Sequence, residues 1–215
     1  MTSEDSVEEA VVAQPTPTPS PQGETPAPTP QKTPTPALQT YRNEKYGYEV
    51  SLPEGYRRAS LFMERFAERI SVVPEDYAVL TPLSKQEEEQ AVEQASQEIA
   101  IGLAPWYGFA RGKSIHIFPM DLIYPEVTID SFLMDVDTAG IIRANSEVRQ
   151  ESLNSGKSVV RLTRREADDN GDFTYDLVIV QTNANDDERF IIRIVKTPDY
   201  DKGAFETIFR SFQDE

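Results

Sequence analysis

The sequence predicts an α+β protein, with a mainly antiparallel sheet covered by helices behind a disordered Thr/Pro-rich tether. Two observations carry this prediction. Residues 14–36 repeat proline with Thr, Ser or Ala and hold almost no large apolar side chains. After residue 40, strand-like runs lie towards both ends of the chain, with helix-like segments between them, and this order is typical of the α+β class.

The composition excludes several classes of function. With 21 basic and 37 acidic residues the formal net charge is −16, which disfavours nucleic acid and anionic lipid as main partners because both need a cationic surface. The chain has no cysteine, so disulfides, iron–sulfur clusters and thiolate zinc sites are excluded. We expect no cofactor.

The start of the chain bears on localisation. Residues 1–10 carry acids where a signal peptide would be basic and then apolar, and no apolar run approaches the roughly 18 residues of a membrane helix. We expect an extracytoplasmic protein, either a membrane-anchored lipoprotein or a secreted one, whose targeting or lipid-bearing segment has been lost. Membrane contact would then occur only through that lost N-terminal anchor.

Residues 1–40 are predicted to be a disordered tether and residues 41–215 to be one folded domain. Proline fixes φ and biases the preceding residue towards extended geometry, so residues 14–36 favour polyproline II. At about 3.1 Å per residue they reach about 70 Å, which suits a spacer that holds a domain away from a surface. O-glycosylation or capture by a proline-binding groove is the alternative.

The first part of the domain is predicted from turn residues. A short strand through residues 49–52 stops at the Pro-Glu-Gly turn of residues 53–55. Residues 61–73 allow a helix in their first half, and we favour a strand for 69–73.

Three helices are predicted from apolar residues spaced three and four apart. The first covers about residues 84–99 and opens with a Ser-x-x-Glu capping box, and its acidic residues are predicted to form a solvated face. The second begins at Thr128 and stops at Gly140, and the third covers residues 205–212.

The sheet is predicted from β-rich runs at residues 158–165, 173–182 and 189–196. Turns rich in Asn, Asp and Gly separate these runs, which indicates an antiparallel meander. Residues 115–118 and 147–153 are predicted to add two more strands.

Several of these stretches are similar to a known family. They are residues 41–56, the helix start at 128–132, the Asn-Ser-Gly of 154–156 before a strand, and the ending 205–212. They resemble the PsbP-like domains of the Mog1/PsbP fold, common in bacterial lipoproteins and secreted proteins. The resemblance covers about residues 41–213 and implies an α/β/α sandwich and export behind a Pro-rich linker. It transfers no site residue.

Catalytic motifs are scarce. His116 alternates with Ile115 and Ile117, so it should point to the opposite face of the sheet from them, and as the only histidine it is predicted to be structural. The sequence contains neither a G-x-S-x-G nor an S-x-x-K motif, and among 37 acids no carboxylate pair stands out. We therefore predict that the protein is not an enzyme.

A weak metal site is one alternative. Asp168, Asn170 and Asp172 place oxygen ligands on alternate residues around a glycine, as in part of a calcium loop. Leu177 stands where a bidentate glutamate is needed, so a hydrated turn is the favoured interpretation.

A basic stripe is a second candidate site. Arg161, Thr163 and Arg165 share one face of their strand, and Arg193 could lie on a nearby strand. Such a stripe could hold an anionic ligand in an acidic protein. The favoured alternative is cross-strand pairing of the arginines with Asp176 or a similar residue.

The aromatic loop before residue 115 is the candidate binding surface. It offers a ligand or partner three aromatic and two cationic side chains, which are Trp106, Tyr107, Phe109, Arg111 and Lys113. Packing of Trp106 and Phe109 in the core is the alternative.

These observations predict a non-enzymatic, extracytoplasmic binding or assembly module, tethered at the cell envelope. Its partner would be an envelope protein or a small molecule, and we expect the protein itself to be a monomer. The alternatives are an envelope hydrolase that uses carboxylates, for example on glycans, and a weak calcium-binding domain.

Overall fold

The structure is a computed structural model. It describes residues 38–67, 73–100, 109, 111–124, 128–133, 145–168, 171–182 and 189–214. The chain divides into two units after Pro36, and every described residue belongs to the second, Ala37–Glu215. Residues 1–37 of the predicted 1–40 tether lie outside the described residues, whereas Gln39 and Thr40 begin the first strand of the domain. No helix within the described ranges is long and apolar enough to cross a membrane.

A seven-stranded antiparallel sheet forms the centre of the domain, in the order β3-β4-β5-β9-β8-β7-β6. Its strands are β3 (Arg57–Arg58), β4 (Ala78–Thr81), β5 (Ile115–Pro119), β6 (Asn145–Ser152), β7 (Ser158–Asp168), β8 (Gly171–Gln181) and β9 (Arg189–Val195). The predicted meander is confirmed as β7, β8 and β9, and the two added strands as β5 and β6.

A second, three-stranded sheet has the order β1-β2-β10. Its strands are β1 (Gln39–Asn43), β2 (Tyr48–Leu52) and β10 (Gln213–Asp214). The predicted strand through residues 49–52 is β2, and the turn after it contains Gly55 at a φ of 81°. This sheet brings the two ends of the domain together, since β2 pairs with β1 on one side and with β10 on the other.

Five helices are described. They are α1 (Ser60–Phe66), α2 (Lys85–Ala100), α3 (Met120–Ile123), α4 (Ile129–Leu133) and α5 (Lys202–Arg210). In the predicted capping box of α2, the Glu87 N–H donates to Ser84 Oγ at 3.3 Å and the Ser84 N–H donates to Glu87 Oε2 at 2.8 Å. The start of the second predicted helix is confirmed as α4, whereas its predicted stop at Gly140 and the strand favoured at 69–73 involve residues outside the described ranges.

Each face of the large sheet carries a hydrophobic core. Leu177 and Ile179 of β8 contribute to the core beneath α1 to α4, whereas Val178 and Val180 contribute to the core beneath α5 and β2. Successive side chains of a strand point to opposite faces of the sheet. A strand segment such as this one, which is buried on both faces, is therefore apolar at every position. The α+β prediction is confirmed. The small sheet and α5 cover the same face of the large sheet, an arrangement that the sequence did not indicate.

Candidate functional site

A polar cavity of about 160 Å³ lies on the α5 side of the large sheet. Its wall is formed by β6, β7 and β8 together with the turn that leads from β9 into α5. Within it are four basic side chains and two carboxylates, which are Arg149, Arg161, Lys196, Lys202, Glu147 and Asp176. The local excess of positive charge contrasts with the −16 of the whole chain.

The floor of the cavity is a buried ion pair between Arg161 and Asp176. Arg161 Nε and Nη2 donate to the two carboxylate oxygens of Asp176 at 2.9 and 2.6 Å, in the bidentate geometry that suits a guanidinium. The side chains are 3% and 6% exposed. This confirms the cross-strand pairing predicted as the alternative to an open basic stripe.

Arg161 also ties the sheet to α5. Its Nη1 donates to Glu206 of that helix and, at 3.3 Å, to Glu151 of β6. Its guanidinium carbon lies 5.3 Å from the ring centres of both Phe205 and Phe209. Burial alone would lower the pKa of Arg161, but the bonds to Asp176 and Glu206 outweigh it and raise the pKa. The floor is therefore a fixed, charge-compensated platform.

The rim of the cavity carries uncompensated charge. The side chains of Lys196 and Lys202 are both exposed, and neither ammonium group forms an ion pair or hydrogen bond with another residue that the structure describes. Arg149 is half exposed and is paired through Nε with Glu151 at 2.9 Å. Lysine is a mobile, compact cation, so two unpaired lysines at a polar cavity form a site for an anionic group.

Tyr200 also lines the cavity, next to the Arg161–Asp176 pair. Its hydroxyl donates to Asp176 Oδ2 at 3.2 Å. Burial, and next the negative charge of Asp176, raise the pKa of Tyr200, so the phenol keeps its proton at neutral pH. It is a hydrogen-bonding group here and not a base.

The turn that carries these residues is fixed by Gly112 and Asp201. The Asp201 N–H donates to the Gly112 carbonyl at 2.8 Å, and the Asp201 side chain caps α5 by accepting from the Ala204 N–H at 2.9 Å. The same carboxylate accepts from the Tyr56 hydroxyl at 3.0 Å. The C-terminal end of the aromatic loop thus lies against the cavity turn.

The aromatic loop itself is only partly described. Phe109 is 1% exposed and lies 4.5 Å from the ring of Phe62, so its side chain belongs to the core, as the packing alternative held, and offers no surface to a ligand. Arg111 and Lys113 are exposed, and the Arg111 guanidinium lies 5.0 Å from the ring centre of Phe173. Trp106 and Tyr107 lie outside the described residues.

The basic stripe differs from its prediction in one member. Thr163 lines the cavity beside Arg161, but Arg193 projects from the opposite face of the sheet, 4.7 Å from the ring of Tyr175. The registers explain this, since Leu177 pairs with both Leu162 and Arg193 and so places Arg193 on the face opposite Arg161. Side-chain spacing within one strand carries no information about register with a strand two positions away.

His116 has a structural environment. Its Nδ1 lies 2.8 Å from the Tyr77 hydroxyl and its Nε2 3.0 Å from Ser114 Oγ. Because the single Ser114 proton is donated to the Phe109 carbonyl at 2.8 Å, the histidine must donate from Nε2 and accept at Nδ1. Burial, followed by the positive charge of Arg193, lowers the pKa of His116 well below its usual value. It lies on the face opposite Ile115 and Ile117, as predicted.

One acidic residue of α2 was wrongly assigned to a solvated face. Glu88 is fully buried, and its Oε1 accepts from the N–H groups of Leu61 and Phe62 at 2.8 and 3.2 Å, at the start of α1. Its Oε2 lies 2.6 Å from Arg57 Nη2. A carboxylate from one helix therefore satisfies the free N-terminal donors of another, which a run of acids in the sequence does not reveal.

The predicted calcium site involves side chains outside the described ones. The side chains of Asp168, Asn170 and Asp172 are not among the described ones, so the weak calcium site stays a prediction. Among the described residues no group of three or more His, Cys, Asp or Glu side chains is placed to hold a metal ion.

The fold and this site define an α+β protein with a central antiparallel sheet and a cation-rimmed polar cavity. No family model and no curated protein matches the chain. Among solved structures it is similar to the Ran-binding protein Mog1p of Saccharomyces cerevisiae, at 12% identity and a TM-score of 0.39, over 83% of this chain and 95% of that one. A likeness of that size carries no argument about function, and the PsbP-like assignment stays a resemblance.

Proposed function

We propose that this protein is a non-enzymatic binding module that holds an anionic group of its ligand or partner in the cavity between β6, β7, β8 and the turn before α5. One observation carries the proposal. Lys196 and Lys202 are unpaired cations at a concave polar site, in a chain whose surface is strongly acidic. Opposite charge at a concave site raises the local concentration of an anion and speeds its capture.

The geometry suits binding better than proton chemistry. Asp176 is bonded to both Arg161 and Tyr200, so its oxygens are already occupied by donors. The Tyr200 phenol is held in its neutral form. These groups give a rigid floor, while the mobile charge lies on the lysines, which bind anions as point charges.

The size of the cavity limits what enters it. Drug-sized ligands occupy pockets of roughly 300–1,000 Å³. A cavity of about 160 Å³ holds one carboxylate, phosphate or sulfate group, with the rest of the ligand outside. A terminal group of a small molecule or an acidic side chain of an envelope protein would satisfy this requirement.

The second part of the proposal concerns location. We place the module outside the cytoplasm, tethered at the cell envelope by the residues that precede β1, as a lipoprotein or a secreted protein. The support is the composition of residues 14–36, which favours an extended spacer. Sequencing the N-terminus of the protein isolated from its native cells tests it, since retention of an unprocessed cytoplasmic start would contradict it.

Titration of the full chain with inorganic phosphate and with acetate, followed by backbone NMR, tests the anion site. We expect saturable shifts confined to residues 196–202 and the facing parts of β6 and β7. Lys196→Gln and Lys202→Gln should each weaken binding by about tenfold, because a charge-assisted contact contributes about 1.4 kcal/mol. Lys85→Gln, which removes an exposed lysine from the start of α2, is the matched control.

The contradicting results are specific. Shifts that never saturate, or that Lys85→Gln reduces as much as Lys196→Gln does, would show diffuse attraction and no site. Binding should also weaken as the salt concentration rises, because exposed charges are screened. Turnover of a hydrolase substrate that is lost on one acid substitution would overturn the non-enzymatic assignment.

A further inference from the structure

The outer edge of β6 carries backbone groups that the proposed anion site does not use, although Glu147 and Arg149 of this strand also line the cavity. We propose that β6 pairs antiparallel with β6 of a second copy of this chain, about a twofold axis at Val148, and so joins two seven-stranded sheets into one.

The two edges of the large sheet differ in length. In the described part of the chain β6 pairs with β7 alone, and β3 at the opposite edge pairs with β4 alone. The edge at β3 is only two residues long, whereas β6 has eight. A long edge presents a row of backbone groups that another strand can pair with, while a very short edge prevents this.

β6 is accessible on both faces. Residues 147–150 are all exposed, so neither α5 on one face of the sheet nor α1 to α4 on the other cover this part of the strand. Val148 is 51% exposed, and of the three exposed large hydrophobic residues in the described ranges it is the one that lies within a strand. An exposed valine at the middle of an uncovered edge is the apolar contact that a facing strand would bury.

The charges on β6 select one register with a second copy. When Val148 faces its own counterpart, Glu147 of each copy lies opposite Arg149 of the other, which gives two ion pairs related by the axis. An axis at Arg149 would place the two arginines opposite each other. An axis at Gln150 would pair Arg149 with Glu151, but Glu151 is already engaged by Arg161 and Arg210, at 3.3 and 2.7 Å.

Two features commonly protect strand edges, and both are present here in a form that leaves this pairing open. A bulge shifts the register between Asn145 and Glu147, at the start of the strand, and leaves the ladder regular from Glu147 onwards. Charged side chains repel a second strand when the charges that face each other are alike. On β6 they alternate in sign, so an axis at Arg149 sets like charges opposite each other, whereas the axis at Val148 sets opposite charges opposite each other. Arg149 bonds Glu151 through Nε, and its guanidinium has further N–H groups for Glu147 of the second copy.

The resulting dimer should be weak. Strand pairing alone buries less than the roughly 1,600 Å² of a standard stable interface. We therefore expect association to be visible only towards about 1 mM protein. The monomer expected from the sequence stays a prediction, and the proposed pairing of β6 is the alternative to it.

Sedimentation equilibrium of the full chain over a range of concentrations measures the association. Glu147→Arg places arginine opposite arginine and should abolish it, and Arg149→Glu should do so by placing glutamate opposite glutamate. An equimolar mixture of the two variants should associate again, because each copy then meets opposite charge at both positions. Glu54→Arg makes the same charge change on an exposed turn and is the control.

Each outcome decides the proposal. Loss in both single variants with recovery in the mixture supports it. A wild-type chain that stays monomeric up to about 1 mM overturns it, and so does a dimer that Glu147→Arg leaves intact, since another surface would then be responsible. Sedimentation measures mass and not anion binding, and it does not use the Lys196 and Lys202 variants. A negative sedimentation result therefore leaves the proposed anion site standing, and a negative phosphate titration leaves the dimer standing.

Discussion

At the scale of single residues, burial gives a structural role to side chains that could otherwise act as catalytic or ligand groups. His116 could have been a base or a ligand, and strand alternation alone placed it correctly on the face away from Ile115 and Ile117. Its two bonds to Tyr77 and Ser114 require a neutral ring with the proton on Nε2. The sequence did not reveal Tyr77 as a partner, because it is 39 residues away.

The lowered pKa of His116 predicts acid sensitivity. Above about pH 6.5 the ring is neutral in both the folded and unfolded states and has no effect on the pH dependence of stability. As pH falls below 6.5, the unfolded chain binds a proton that the folded chain does not, so the free energy of unfolding should fall by up to about 1.4 kcal/mol per pH unit. Urea unfolding at several values between pH 7.5 and 5.5 measures this.

His116→Gln provides the control for that measurement. His116 is the only histidine in the chain. The glutamine that replaces it keeps a donor and an acceptor but does not titrate in this range. The variant should be less stable at pH 7.5, yet its stability should change much less between pH 7.5 and 5.5. Equal slopes for the two proteins would show that His116 is accessible to protons in the folded state.

At the scale of secondary-structure elements, the sequence predicted those whose signal is local. Helical spacing, the capping box of α2 and the turns between the meander strands are set by residues within a few positions of each other. β4 was missed because its four residues are buried without any polar alternation, and β3 and β10 because distant partners define them. β1 was missed although it pairs with the adjacent strand β2, since its first two residues were assigned to the tether. Pairing between distant segments leaves little trace in a local pattern.

The turn against the cavity gives a prediction at this scale. Gly112 has a φ of 76°, and an added Cβ would lie 2.2 Å from Thr197 Oγ1. Gly112→Ala should therefore cost about 1–2 kcal/mol for the left-handed backbone and a further contribution for displacing the turn. Displacement of Tyr200 and Lys202 should also weaken phosphate binding, which NMR titration of the variant would record.

Gly55→Ala is the matched comparison. Gly55 has a similar φ of 81°, but an added Cβ would meet nothing within 4 Å. It should cost only the backbone part, about 1–2 kcal/mol, and leave phosphate binding unchanged. Equal losses in urea unfolding for the two variants would mean that the turn accommodates the methyl group and does not depend on close contact with Gly112.

At the scale of the whole molecule, the candidate site depends on the meeting of segments far apart in sequence. Arg161 and Thr163 were predicted because they share a strand face. Lys196, Tyr200 and Lys202 were not, because only the folded chain brings their turn against β6, β7 and β8. The excess of acidic residues could be read from the sequence, and against it a cationic cavity stands out. The position of that cavity could not, because it depends on how the distant segments fold together.

Arg161 is the residue on which the assembly of layers should depend most. It joins β7, β8 and β6 to α5 through Asp176, Glu151 and Glu206, and packs against two aromatic rings of the helix. Arg161→Ala leaves three carboxylates near one another without their common cation. Breaking a buried ion pair from one side costs about 3–5 kcal/mol, so we expect a loss of that order in urea unfolding.

The matched variant Arg161→Lys separates charge from geometry. Lysine keeps the positive charge, but it cannot make the bidentate bond to Asp176 while also reaching Glu206, so its cost should lie between those of wild type and alanine. Hydrogen exchange adds the spatial test, since α5 amides should lose more protection than those of α2 in both variants. A lysine variant as stable as wild type would mean that α5 is held to the sheet by its apolar face alone, with Phe205, Ile208 and Phe209 sufficient to fix the layer.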